Sequence, residues 1–226
     1  MKFKDFERII STPRMNRYVQ ATGGDTRKAM TLYRLNLRLS QEFFTVISCL
    51  EVALRNAIDG HYQTIHGVNW LRDSALPNGM YNQRNCGITP SIISAASRRL
   101  TVYSHQKLLA EMDFGFWRYT FGLHQFHAGG QTLLRIFPNK PTSTPQQQYD
   151  HTYVFGELEK INMLRNRLAH HEPICFGNGQ GVKNTTYARD HYRLAIQFFQ
   201  WMDIDEKALL YGLDHIVGVC DDIDSL

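Results

Sequence analysis

The chain has 226 residues, 43% hydrophobic and 20% charged, the make-up of an ordinary globular protein with room for one large or two small domains. Its formal charge of +4 admits a polyanionic partner without demanding one. Four cysteines without a C-x-x-C pair, a charged start at Met1–Glu7 and the lack of a long apolar run argue against a disulfide framework, a zinc knuckle, a secretory leader and a membrane span. These features predict a cytoplasmic protein with reduced thiols and no membrane partner.

Residues 3–10 suit a short helix stopped by Ser11-Thr12-Pro13, and a second runs through Met15, Tyr18 and Val19 until Gly23-Gly24 breaks it. Asp25 or Thr26 then caps a long helical segment. Its apolar residues, from Leu32 through Leu39, Phe43, Val46, Leu50 and Leu54 to Ile58, recur at steps of mostly three and four. That predicts one helix of about 35 residues or two consecutive ones, longer than the usual globular helix. Within it Glu51 and Arg55 are i,i+4 partners, Asn56 follows Arg55, and His61 lies six residues beyond Arg55.

Residues 67–90 carry turn chemistry throughout, with Gly67, Pro77-Asn78-Gly79, Gly87 and Pro90. A helix resumes at Ser91. The aromatic stretch Phe114-Gly115-Phe116-Trp117-Arg118-Tyr119 reads as a helix packing its rings into the core, with Gly115 at a close crossing. Residues 138–148, rich in Pro, Thr, Ser and Gln, form the clearest loop, and helix resumes near Tyr149. Cys175–Gly181 is a glycine-rich turn that lacks the strand and the Lys-Ser/Thr of a phosphate loop. Helices over about 186–202 and 205–216 close the chain. No segment alternates with period two, so the fold class is all-α, a helical bundle with one long helical hairpin.

The chain's most unusual stretch is Asn162-Met163-Leu164-Arg165-Asn166-Arg167-Leu168-Ala169-His170-His171-Glu172-Pro173-Ile174. Ile161, Leu164 and Leu168 mark a buried helix stripe, and Pro173 predicts a helix end near His171. Arginine forks suit phosphate, and histidine gives or takes a proton near neutrality. With an asparagine to hold one of them, these side chains form a metal-free kit for cutting a phosphodiester in RNA. On an ideal helix Arg165 and His170 lie roughly 140° apart around the axis, whereas Asn166 and His170 share a face. Arg165 must therefore reach around, or the helix must distort before Pro173. The simpler reading is a basic helix C-terminus complementing the macrodipole, which leaves Asn166 and the paired histidines unexplained. His124 and His127, three residues apart, have no Glu or Cys beside them and read as a solvated face.

Arg165-Asn166-Arg167-Leu168-Ala169-His170-His171-Glu172-Pro173-Ile174 resembles the C-terminal signature of the Abi-like family, bacterial phage-exclusion proteins of the AbiD/AbiF type in the HEPN superfamily. Glu51-Val52-Ala53-Leu54-Arg55-Asn56 is similar to the family's N-terminal block, and Phe114-Gly115-Phe116-Trp117 to its central one. The resemblance implies a single HEPN-like domain over 1–226, with N-terminal helices in 1–24 and loops at 67–90 and 138–148. It implies an abortive-infection effector that cuts RNA by 2′-hydroxyl attack without metal or cofactor. Arg165 would hold the scissile phosphate and His170 would be the general acid or base. Asn166 would orient one of them, and His171 would carry a second proton or serve as a helix-end residue. Glu51, Arg55, Asn56 and His61 would support the site. A homodimer, or pairing with Arg55-Asn56…His61 in the same chain, would complete it, and an RNA or protein antitoxin is the expected partner. The alternative is a non-catalytic HEPN module that binds RNA or protein within a toxin–antitoxin or defence system.

Overall fold

A computed structural model describes all residues except 178–180. The chain is all-α: among the described residues twelve helices account for nearly all regular structure, and the one antiparallel pairing is an isolated bridge between Phe176 and Lys183. None of the described helices is long and apolar enough to cross a membrane. The residues divide into two compact units. The first comprises 1–48, 163–197 and 206–226, and the second 49–162 and 198–205.

The first unit opens with α1 (Phe3–Ile10) and α2 (Thr12–Ala21), separated by Ser11 at φ 96°. Helix α2 ends where expected, because Gly23 takes the left-handed conformation at φ 61°. The Gly23 and Gly24 amides then bond back to the Gln20 and Val19 carbonyls at 3.2 and 2.9 Å, a closure that glycine favours. Helix α3 is one continuous element, Thr26–His66, 41 residues long. The Asp25 carboxylate caps it through the Arg27 and Lys28 amides. Residues 26–48 of α3 bury Leu32, Leu39, Phe43, Val46 and Ile47 in this unit, one stripe at helical spacing. Asn36 sits buried in the same stripe.

The first unit also holds residues 163–169 of α9 (His151–Ala169), residues 186–197 of α10 (Thr186–Trp201), α11 (Glu206–Leu209) and α12 (Ile216–Ser225). The expected helix over 205–216 is instead the single turn of α11, and α12 follows it. Gly212 at φ 71° interrupts the run between them. Helix α12 buries Ile216, Val219, Cys220 and Ile223. Its acidic face meets Arg189, which pairs with Asp221 at 2.6 Å and Asp224 at 2.9 Å.

In the second unit the 67–90 connector contains the single-turn α4 (Trp70–Asp73) and a 3-10 turn at Arg84–Cys86. Helix α5 (Thr89–Arg99) starts with Pro90 in its first turn, and α6 (His105–Ala110) is a further short helix that periodicity alone does not reveal. The aromatic stretch forms only α7 (Phe114–Tyr119), capped by Asp113, and is followed by α8 (Leu123–Ala128). Phe114, Phe116 and Trp117 are buried as expected. Gly115 is not a crossing point, since a Cβ there would meet only the Asp113 side chain of its own cap, at 3.3 Å. His124 and His127 are both exposed. A partly buried polar knot forms around Asp59, whose carboxylate accepts from Trp70 Nε1 at 2.8 Å and Gln63 at 2.7 Å. The same carboxylate lies 2.7 Å from His105 Nε2.

Candidate functional site

The sequence MLRNRLAHHEP, residues 163–173, ends α9 in a particular way. The amide of His170 still bonds to the Asn166 carbonyl at 3.0 Å, so the helix keeps its pitch to that point. The His171 amide then bonds to Leu168, and the Glu172 amide reaches back to Arg167 at 2.8 Å. This is the same closure as at Gly23, with histidine in the left-handed position at φ 54°. A residue with a Cβ pays about 1–2 kcal/mol for that conformation. Helix α9 therefore stops at Ala169 by its own turn, two residues earlier than Pro173 alone suggests.

The chain leaving the helix is fastened on several sides. Arg167 donates to the Pro173 carbonyl at 2.6 Å, lies 3.4 Å from the Glu172 carboxylate and stacks over Tyr187 at 4.6 Å. The buried side chain of Asn36 accepts from the Ile174 amide at 2.9 Å. Arg14 of α2 donates to the His171 carbonyl at 2.8 Å. Arg17, one turn further along α2, donates to the Gly177 carbonyl at 3.3 Å and lies over the Phe176 ring at 4.4 Å. These charge-assisted bonds satisfy carbonyls of the chain that leaves the helix. Of the glycine-rich turn at 175–181, residues 178–180 lie outside the described residues. Cys175 and Phe176 in it are buried.

Against this framework the two arginines beside Asn166 differ sharply. Arg167 is committed to the fold. Arg165, half-buried one residue before Asn166, has no hydrogen bond or ion pair among the described residues. Asn166, His170 and His171 are exposed, and none of their side chains is bonded to another described residue. Asn166 thus holds neither Arg165 nor His170 in this structure. The helix does not distort before its end, so Arg165 stays well round the axis from His170. A guanidinium with unused donors can bind an anionic oxygen, and the two accessible imidazoles at the same helix end can exchange protons with a bound group.

The other candidates belong to the second unit, on α3. Glu51 and Arg55 are half-buried, and Arg55 Nε donates to its neighbour Asn56 at 3.3 Å. His61 is half-buried, with Nε2 2.9 Å from the Thr132 hydroxyl. Burial, and then the nearby Arg135 charge and His66, hold the His61 imidazole below its ordinary value, so it is neutral at pH 7.

Among the described residues no group of three or more His, Cys, Asp or Glu side chains is placed to hold a metal ion. Burial pushes the Cys175 thiol up to about 12 and the Cys220 thiol up to about 11, so neither is a thiolate nucleophile near neutrality. Two residues of the site escaped the sequence reading. Arg14 and Asn36 lie more than a hundred residues from the turn they hold, and nothing local to them signals that pairing. Comparison with known proteins finds no matching family model, no matching curated protein and no matching solved structure.

Proposed function

We propose that this chain is an endoribonuclease of the Abi-like, HEPN type, cutting RNA without a metal as a phage-defence effector. The observation that carries the reading is the unequal use of the two arginines: Arg167 is spent on the fold, while Arg165, on the same helix end as exposed His170 and His171, is left with its donors unused. In the reaction a base takes the proton of an RNA 2′-hydroxyl, and that oxygen bonds to the adjacent phosphorus. The bond from phosphorus to the 5′-oxygen breaks, and an acid returns a proton to the leaving oxygen. The products are a 2′,3′-cyclic phosphate and a free 5′-hydroxyl. Arg165 holds the non-bridging oxygens as charge builds on them, and His170 and His171 supply the acid and base. One copy of the turn offers few groups, and its histidines lack protein partners to orient them. A second copy of the chain completes the site in this reading, and the RNA aligns the rings.

The test is cleavage of total cellular RNA by purified protein in EDTA. The wild type should leave cyclic phosphate ends. His170→Ala should lower the rate about a hundred- to ten-thousand-fold, the range for loss of a general acid or base. Arg165→Ala should lower it about a hundredfold or more. Cleavage that survives both substitutions overturns the reading. The unoriented imidazoles also suit a module that binds RNA without cutting it. Tight RNA binding with no cleavage by any variant would select that reading.

A further inference from the structure

The carbonyl end of α9 is the negative pole of the helix, and by itself it repels a phosphate. Arg14 alters that balance. Its guanidinium reaches in from α2 and donates to the His171 carbonyl at 2.8 Å, and no other hydrogen bond or ion pair engages it among the described residues. Arginine carries five N–H donors in one rigid plane. The donor used on His171 fixes the orientation of the fork, and the rest stay available on an exposed side chain. Arg17 makes the contrast plain, since it is half-buried over Phe176 and bonded to Gly177. The setting is also electropositive: the first unit holds 15 Lys and Arg against 11 Asp and Glu, and the second holds 10 against 10. The whole excess charge of the chain therefore lies in the unit that carries the turn.

We propose that Arg14 is a second phosphate-binding residue of this site, gripping the RNA backbone next to the phosphate that Arg165 takes. The inference rests on the endoribonuclease reading above. Its ligand is a non-bridging phosphate oxygen, so the contact is indifferent to base sequence. The bond to His171 gives Arg14 its place: it neutralises the helix end and presents the remaining donors beside the imidazoles.

The experiment measures binding of a short labelled polyuridine across a salt series, on a His170→Ala parent that consumes the probe at least about a hundredfold more slowly. Each phosphate contact on a single strand contributes about 0.7 to the slope of log K against log salt. Arg14→Gln should reduce the slope by about that amount, and Arg14→Lys, which keeps the charge, should restore most of it. Arg193→Gln removes a cation of the same unit that pairs with Asp190, and it should leave the slope unchanged. In the cleavage-competent chain, Arg14→Gln should raise KM several-fold with a smaller change in kcat, the signature of lost ground-state binding. Thermal melts accompany each variant. If Arg14→Gln and Arg14→Lys lower the melting temperature equally and neither moves the slope, Arg14 is a structural clamp and the proposal fails. If the parent binds polyuridine with an Arg165-dependent slope that ignores Arg14, the proposal fails while the endoribonuclease reading stands. If the parent does not bind RNA at all, both fail.

Discussion

At the scale of single residues, His171 is the most informative position. Its backbone lies at φ 54°, where the equivalent position after α2 holds Gly23 at φ 61°. Two helix ends in one unit thus use the same closure with opposite residue choices, and local stability favours the glycine. We expect His171→Gly to stabilise the protein by about 1 kcal/mol, read as a higher urea midpoint. The same substitution should lower RNA cleavage if the imidazole carries a proton. Higher stability with unchanged cleavage would reduce His171 to a helix-end residue. Pro173 makes the end of α9 legible in the sequence. The left-handed histidine is not legible, because its conformation follows from how the exit chain is pulled toward Arg14 and Asn36.

At the scale of elements, the sequence reads best where periodicity runs long. Apolar steps of three and four over dozens of residues leave α3 no alternative to helix, and the structure makes it one helix of 41 residues. The six-residue helices α6, α7 and α8 carry too few turns to display a stripe, and their caps and neighbours decide them. Gly60 is the weak point of α3: it is exposed inside the helix, and a Cβ there would meet nothing within 4 Å. Gly60→Ala should therefore raise stability by about 0.5–1 kcal/mol, measured by denaturant unfolding. A loss of stability would show that α3 needs freedom at that point, next to His61.

At the scale of the whole molecule, the partition of charge and of histidines sets how the protein meets its surroundings. In the second unit His61 and His66 are both held below the ordinary imidazole value, chiefly by burial. Below about pH 6.5 the unfolded chain therefore binds more protons than the folded one, and stability falls as pH falls. The urea midpoint at about pH 5.5 should lie below that at about pH 7.5, and a double His61→Gln, His66→Gln variant should show a smaller difference. A midpoint that rises on acidification would contradict the lowered imidazole values of His61 and His66. The positive first unit predicts that association with polyanions weakens steeply with salt.

The sequence by itself determined the helical class, the long α3, the loop at 138–148 and the clustering of Arg165, Asn166, His170 and His171 at a helix end. Each of these is a local property, written in spacing, turn residues and the missing amide of proline. Only the tertiary structure decided which arginine is available. Arg165 and Arg167 flank the same asparagine and are equivalent on paper. The choice is made by Tyr187, the Pro173 carbonyl and the Glu172 carboxylate, which surround Arg167 and leave Arg165 alone. Arg14 and Asn36 join the turn for the same reason: contacts across more than a hundred residues are set by how helices pack, and spacing along the chain carries no record of them.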